Sequence, residues 1–379
     1  MQYPPMSLYV HIPWCEKKCP YCDFNSYASS SIPEQDYLDC LIADLQIEAE
    51  SVQDRELKSV FFGGGTPSLF SAESLARLLQ AIARMFHFNR DIEITLEVNP
   101  ASADQRKFLD FFHAGINRLS IGVQSFNDSS LRDLGRIHTS GDGISAIKLA
   151  QTAGFSNINI DLMYGLPNQT EEEAVSDLNE AILCRPQHVS WYELTIEPNT
   201  MFYSNPPTIP KENTLEAIQE AGLSLLSKNG FSQYEISAFS KLNHQCKHNL
   251  NYWRFGDYLG IGAGAHGKIT NKDSSITRYS KTRNPGDYLS ASPYEARVNE
   301  STLSEKETVL DFVLNSFRLT DGFTLDQFKK STYLSPHHLE PEISSLCDRG
   351  LVLKNSAGYK TTTLGQRYLN EIIHKFMLD

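Results

Sequence analysis

Six short stretches of this chain alternate apolar and polar side chains with a period of two: SLYVHIP from Ser7, SVFFGGG from Ser59, IEITLEVNP from Ile92, RLSIGVQSF from Arg118, NINIDLMYG from Asn157 and HVSWYELTIEP from His188. Period two marks a strand, and the intervening stretches are long enough for helices. The order strand, helix, strand predicts an α/β fold with an incomplete parallel barrel of six β/α units. Strands of a parallel sheet usually read as continuous apolar runs because both faces are buried. Here one parity is polar: Glu93, Thr95, Glu97 and Asn99; Ser120, Gly122 and Gln124; Asn157, Asn159 and Asp161; Glu193, Thr195 and Glu197. The apolar parity, such as Ile158, Ile160 and Leu162, then packs on the helices and the polar parity faces the lumen. A lumen of that kind is built for a polar ligand. The alternative, a solvated face of an antiparallel sheet, fits the intervening helices less well.

Beyond the sixth stretch, NTLEAIQEAGLSLLSKNG predicts an amphipathic helix ended by Gly230, followed by FSQYEISAFS and HQCKHNLNYWRFGDYLGIGAGAHG. The last part combines helices with a hairpin, LVLKNSAGYKTT, turning at Ser356, Ala357 and Gly358, in an order like that of a winged helix. The expected organisation is a barrel core over 1–210, a barrel extension over 211–295 that carries HNLNYW, and a smaller, mainly helical, winged-helix-like C-terminal domain over 296–379. A wing invites a DNA-binding reading, but residues 301–379 hold nine Lys/Arg against ten Asp/Glu. The basic footprint of a nucleic-acid binder is missing there, and the net charge of the whole chain is -12.

At 379 residues with 40% hydrophobic and 21% charged side chains, the composition is that of a soluble globular protein of one large domain and a smaller one. No apolar run is long enough to span a bilayer, and MQYPPMSLYVHIPW lacks the order of a signal peptide, so a cytoplasmic location is expected. Seven cysteines, an odd number, fit a reducing compartment better than a disulfide framework.

Three of the seven, Cys15, Cys19 and Cys22, form C-x3-C-x2-C directly after the first strand. Zinc sites usually take four protein ligands, and only three lie close here. An iron–sulfur cluster is commonly held by four cysteines, so a triplet implies a cluster with one iron left for a non-protein ligand. Cys40, Cys184, Cys246 and Cys347 are scattered and read as small hydrophobes. Gly63-Gly64-Gly65-Thr66-Pro67 follows the second strand, where glycines let a ligand approach the backbone. Both features fall at strand C-termini, where barrel chemistry sits. His248 stands beside Tyr252 and Trp253; a neutral imidazole suits a metal such as iron, although a histidine beside aromatics is more often a satisfied, partly buried residue. Lys268, Lys272, Arg278, Lys281 and Arg283 could pair with carboxylates of a ligand, although a solvated loop is the more ordinary expectation for them.

The triplet after a first strand, followed by the glycine motif, resembles the radical S-adenosylmethionine (SAM) superfamily. In that superfamily the open iron of a [4Fe-4S] cluster binds the amino and carboxylate groups of SAM. LYVHIPWC, GGGTPS, LEVNP, RLSIGVQSF, LGRIH, NIDLMYGLP and GIGAGAH extend the likeness over nearly the whole chain to the oxygen-independent coproporphyrinogen III oxidase group. Within it, the oxidase proper carries a fourth cysteine where Phe24 stands and a long segment before the first strand, which here begins at Ser7. HNLNYW is similar to the HNxxYW motif of HemW-type haem chaperones. The resemblance implies an incomplete (β/α)6 radical SAM barrel, with the cluster on Cys15, Cys19 and Cys22. It implies a SAM site at Tyr9, Tyr21, Gly64, Gly65, Thr66, Glu97, Gln124, Arg136 and Asp161, and haem contacts from His248 as axial ligand with Tyr252 and Trp253. The function implied is binding of haem and its transfer to acceptor haem proteins, with peripheral membrane contact through such acceptors, no nucleic-acid partner and the oligomeric state left open. Two alternatives stand beside it, the decarboxylating oxidase and a transcriptional regulator using the winged helix.

Overall fold

In the computed structural model, which describes residues 3–52 and 55–377, the six alternating stretches form strands β1 (Met6–Ile12), β2 (Glu56–Gly64), β3 (His87–Val98), β4 (Arg118–Gln124), β5 (Ile158–Tyr164) and β6 (His188–Glu193). They are parallel and lie side by side in sequence order. The apolar parity is fully buried at Leu8, Val10, Ile12, Ile121, Val123, Ile160 and Leu162, as the alternation requires. The helices that cover it begin at sequence-legible caps. Ser71 accepts from Ser74 N–H at the start of α2 (Ala72–Met85), and capping boxes Thr139/Asp142 and Thr170/Glu173 open α4 (Ser140–Thr152) and α5 (Glu171–Leu183). On α1 (Glu34–Ser51), Tyr37, Leu38, Leu41 and Leu45 recur at helical spacing and enter the same core. Helix α3 (Gln105–Ala114) stops at Gly115, whose φ of 104° is left-handed.

The parallel sheet has one strand more than the alternation predicts. β9 (Asp257–Ile261) lies parallel to β1 on the side away from β2, pairing Met6 with Asp257 and Val10 with Ile261. Three antiparallel strands continue from it, β10 (His266–Thr270), β11 (Ile276–Lys281) and β12 (Arg297–Thr302), while β8 (Ala238–Ser240) and β7 (Ser232–Glu235), which follow helix α6 (Glu212–Lys228), flank β6 at the far edge. The result among the described residues is a 12-stranded sheet with two free edges, an unclosed barrel.

A second core lies beyond it. Phe312, on α8 (Glu305–Ser316), meets Phe323, Phe328 and Phe255 edge-on with centroids 4.9, 5.0 and 5.6 Å apart. Helix, strand Phe323–Thr324, helices Leu325–Thr332 and Glu342–Asp348, then the hairpin Val352–Lys354 and Gly358–Thr361 follow in winged-helix order, with Gly358–Thr361 central in the three-stranded sheet.

Of the five basic residues between 268 and 283, Lys272 and Arg283 are exposed outside the strands, as a solvated loop predicts, but Lys268, Arg278 and Lys281 are each held by a carboxylate. Lys281 is fully buried, its ammonium reaching Asp44 and Glu48 of α1, the latter at 2.6 Å; Arg297 also pairs with Glu48 and Tyr288 donates to Asp44 at 2.7 Å. Lys268 is buried as well, 3.0 Å from Asp257 and over the ring of Phe255, and Arg55 pairs with Asp257 at 2.7 Å. Arg278 pairs with Asp311 at 2.6 Å. A chain read by charge assigns lysine to solvent, whereas here two lysines neutralise buried carboxylates that pin the extension to β1 and α1. Lys281→Ala would leave Asp44 and Glu48 short of a cation, and we expect it to lower unfolding free energy in urea by about 3–5 kcal/mol. Exposed Lys272→Ala should change it by no more than about 0.5 kcal/mol; equal effects would contradict the network.

Candidate functional site

The three cysteines occupy a loop closed at its neck. Trp14 and Cys15 pair in parallel with Tyr27 and Ala28, Ser29 N–H donates to Cys15 O at 3.0 Å, and the Lys18 ammonium donates to the carbonyls of Phe24 and Ser26 at 3.1 Å each. All three thiols are free and line one cavity of about 380 Å³. No group of three or more His, Cys, Asp or Glu side chains among the described residues converges on a single ion. Thiols that share a cavity without sharing one point suit a cluster in which each takes a different iron, and suit a tetrahedral zinc poorly. Burial pushes the Cys15 and Cys22 thiols up, opposed by hydrogen bonding to Thr66 and Ser26. Arg136 places Nη1 3.7 Å from Cys19 Sγ and donates from Nη2 to Gly122 O at 2.7 Å, while its Nε is buried without a partner.

The glycine turn at the end of β2 docks on this loop. Gly65 N–H donates to Ile12 O at 2.8 Å and Thr66 N–H to Trp14 O at 2.7 Å. A Cβ on Gly65 would lie 2.5 Å from Trp14 O and 3.0 Å from Cys15 Sγ, and Gly64 has φ of 118°, so neither position admits a side chain without displacing the loop. Gly64 N–H donates to Glu97 Oε2 at 3.1 Å.

The polar parity meets here. Register pairs Glu97 with Ser120, Ser120 with Asn159 and Asn159 with His188 across β3 to β6. Ser120 Oγ and Asn159 Nδ2 donate to Asp161 at 2.9 and 2.7 Å. Gln124 ends β4 with φ of 69° after a register shift, and its amide oxygen accepts from Tyr192 at 2.8 Å. On β6 the inward parity is His188, Ser190 and Tyr192; Glu193 is its last residue, and Thr195 and Glu197 line the mouth from the loop beyond. Ser190 and Tyr192 are therefore wall residues that the parity assignment of the sixth stretch passed over, although the alternation in HVSWYE carries them. Tyr21, Gly64, Gly65, Thr66, Glu97, Gln124, Arg136 and Asp161 all line the cysteine cavity; Tyr9 lines a second one instead.

Two carboxyls at one end and a guanidinium near the thiols make the first cavity dipolar. Burial, with the Asp161 charge adding to it, pushes Glu97 up to about 8, and burial also raises Asp161 against its hydrogen bonds from Ser120 and Asn159. Each carboxyl has an incentive to meet a cation or hydrogen-bond donor. A ligand with an amino group, a carboxylate and sugar hydroxyls matches that arrangement.

The second cavity, of about 560 Å³, adjoins the first through Phe24, Gly64 and Glu97. Tyr252 of α7 (Lys247–Trp253) lines it. His248, one turn earlier, does not: its ring is 2% exposed, stacked on Phe61 at 4.8 Å and edge-on to Tyr252 at 5.0 Å, with Nδ1 3.0 Å from Ser59 Oγ and Nε2 buried without a partner. Trp253 turns the other way, under the Arg318 guanidinium at 4.4 Å. Of the three residues expected at a haem, Tyr252 lines this cavity and the other two do not: Trp253, its neighbour on the helix, points to another side, and His248, one turn back on the same side as Tyr252, is covered by Phe61 and Tyr252 itself.

A family model described as the radical SAM superfamily matches residues 9–181. The chain is 48% identical to the heme chaperone HemW of Haemophilus influenzae over 99% of both chains, and 43% identical to that of Escherichia coli over 100% of both. Coproporphyrinogen III oxidase (HemN) of Escherichia coli has the same fold, with a TM-score of 0.83 at 23% identity over 99% of this chain and 90% of that one.

The raised Glu97 carboxyl has a stability consequence. As pH rises from its ordinary 4.5 towards about 8, the unfolded chain loses this proton before the folded one does, so folding is penalised increasingly and the penalty is complete above about 8. Glu97 is partly exposed, so solvent screens part of the penalty, leaving about 1–2 kcal/mol. Ligand-free Glu97→Gln should therefore be about 1–2 kcal/mol more stable than the parent at pH 8.5 and equal to it near pH 4.5; a pH-independent difference would contradict the burial of an ionisable group there.

Proposed function

The chain belongs to the HemW group of the radical SAM superfamily, and from that membership we propose that it is a haem chaperone, binding haem and passing it to acceptor haem proteins. The observation that carries the reading is likeness over essentially the entire length to relatives named for that activity. The cavity supports the cofactors the superfamily implies. Cys15, Cys19 and Cys22 hold a [4Fe-4S] cluster, which when bound supplies an iron open to the amino and carboxylate groups of SAM. Gly64, Gly65 and Thr66 bring backbone close to the methionyl end, Glu97 accepts from its amino group, and Arg136 faces its carboxylate side. Asp161, steadied by Ser120 and Asn159, accepts from ribose hydroxyls; Tyr21 and Gln124 close the wall, and Tyr9 supports it from the adjoining cavity.

The oxidase reading shares the fold but not the site detail. Phe24, 60% exposed at the rim of both cavities, stands where the resemblance places the oxidase's fourth cysteine, and offers an aromatic surface in place of a thiol. Residues 211–295 serve as the extension that walls the second cavity, and 296–379 as a packing domain anchored by Phe255 and Phe312. Its helix Glu342–Asp348, the one a winged helix would insert into DNA, carries Glu342 and Asp348 and no lysine or arginine, which favours that role over a regulator. Among the described residues no helix is long and apolar enough to cross a membrane; free thiols and a cluster suit the reducing cytoplasm.

Anaerobic reconstitution tests the cluster: we expect a [4Fe-4S] signal in electron paramagnetic resonance that changes on adding SAM, abolished by alanine at Cys15, Cys19 or Cys22 and retained in Cys40→Ala. The same preparation should bind haem, giving a Soret band, and leave coproporphyrinogen III unconverted in the presence of SAM and reductant. Formation of protoporphyrinogen without haem binding would falsify the chaperone reading and favour the oxidase.

A further inference from the structure

The second cavity has no role in holding the cluster, and its walls specify a ligand. Tyr252 and Tyr258 present rings 4.3 Å apart at the centroids, Phe24 adds an exposed ring at the rim, and Arg283 brings an exposed guanidinium. Its volume of about 560 Å³ is within the range of about 300–1,000 Å³ usual for small-molecule sites. Aromatic faces with one cationic group fit a flat, mostly apolar molecule that carries carboxylates.

Three imidazoles lie in or beside this space, and their bonding separates them. His11 uses both ring nitrogens, Nδ1 at 3.0 Å from Tyr9 Oη and Nε2 at 2.8 Å from Asn25 O. His248 is enclosed, as described above. His266 lines the cavity, is exposed, and neither ring nitrogen is hydrogen-bonded or ion-paired to any described residue. Its backbone is nevertheless fixed: it opens β10 opposite Ser280 of β11, and Lys281 N–H donates to Ala265 O at 2.7 Å beside it. A free imidazole on a rigid strand end, facing a cavity with aromatic walls, is the arrangement a metal ligand needs. Burial and the positive charges of Arg278 and Arg283 lower its pKa, favouring the neutral form that ligates.

We propose that haem is held in this second cavity with His266 as the axial ligand of its iron, Tyr252 and Tyr258 against the macrocycle and Arg283 at a propionate. The proposal rests on the haem-chaperone reading and refines it. HNLNYW then contributes Tyr252 to the wall, and His248 is a buried strut that sets the pitch of α7. Because Gly64 and Glu97 line both cavities, the haem edge and the SAM site share a wall.

The test is haem titration of the full, cluster-reconstituted chain, read by absorption, electron paramagnetic resonance and resonance Raman spectra. His266→Ala should lose the histidine-ligation signature and weaken affinity by roughly ten-fold or more, and added imidazole should restore the signature. His266→Cys should replace it with a thiolate signature, a gain that misfolding does not mimic. His248→Ala should keep the histidine signature. Retention of that signature in both His266 variants, or its loss in His248→Ala alone, overturns the assignment while leaving the chaperone reading intact. Failure of the unmodified chain to bind haem overturns both.

Discussion

The docking of the glycine turn onto the cysteine loop is the contact from which the rest of the site is built. Two backbone hydrogen bonds, from Gly65 to Ile12 and from Thr66 to Trp14, fasten the C-terminal ends of β1 and β2 together. Space for them exists only because Gly65 has no Cβ to strike Trp14 O. That closure sets Cys15 beside Thr66 and brings Gly64 N–H onto Glu97, so the thiols and the first lumen carboxyl belong to one rigid unit. The same strand end reaches the other way: Tyr37 donates to His11 O at 2.9 Å and accepts from Ala263 N–H at 2.8 Å, and Asn25 Nδ2 donates to the carbonyls of Ala263 and Arg283 at 2.9 and 2.8 Å. One loop thus joins both cavities.

Polar side chains inside a barrel are costly unless each is paired. The lumen meets this with short relays, Tyr192 to Gln124 and Asn159 to Asp161, while leaving the Glu97 carboxyl pushed up by burial and Arg136 Nε without a partner. Groups left in that state lose free energy that a bound ligand restores, which is why the same residues that strain the ligand-free fold are suited to hold a charged small molecule. The buried pairs at Asp44, Glu48 and Asp257 are of another kind: each is saturated by protein cations, and they serve to lock the extension against β1 and α1.

Local patterns in the chain were sufficient for much of this. Period-two alternation located β1 to β6 and the inward faces of β3 to β5, though it chose the wrong parity on β6; the triplet and GGGTP located the first cavity, and the hairpin at Ser356 to Gly358 located the wing. What escaped were features set by distant partners. DYLGI lies outside the six alternating stretches, and its place beside β1 depends on the distant pairing of Met6 with Asp257, which no local signal encodes. Lys268 and Lys281 look like solvent-exposed charges until Asp257, Asp44 and Glu48 are brought to them. The motif HNLNYW draws attention to His248, the most buried of its side chains, whereas His266 follows the glycine-rich GIGAGA and opens β10; only the three-dimensional arrangement shows which imidazole is free.

A chain of the HemW group that shares the fold of coproporphyrinogen III oxidase is distinguished from that enzyme by what happens to the tetrapyrrole. The most direct measurement loads the cluster-reconstituted chain with haem, mixes it with an apo haem protein, and follows the Soret bands of both with the mass of the recovered porphyrin. The account predicts that the chain's band declines as the acceptor's rises, with the porphyrin unchanged in mass. Haem that stays on the chain against excess acceptor, or a porphyrin recovered with shortened side chains, would contradict it.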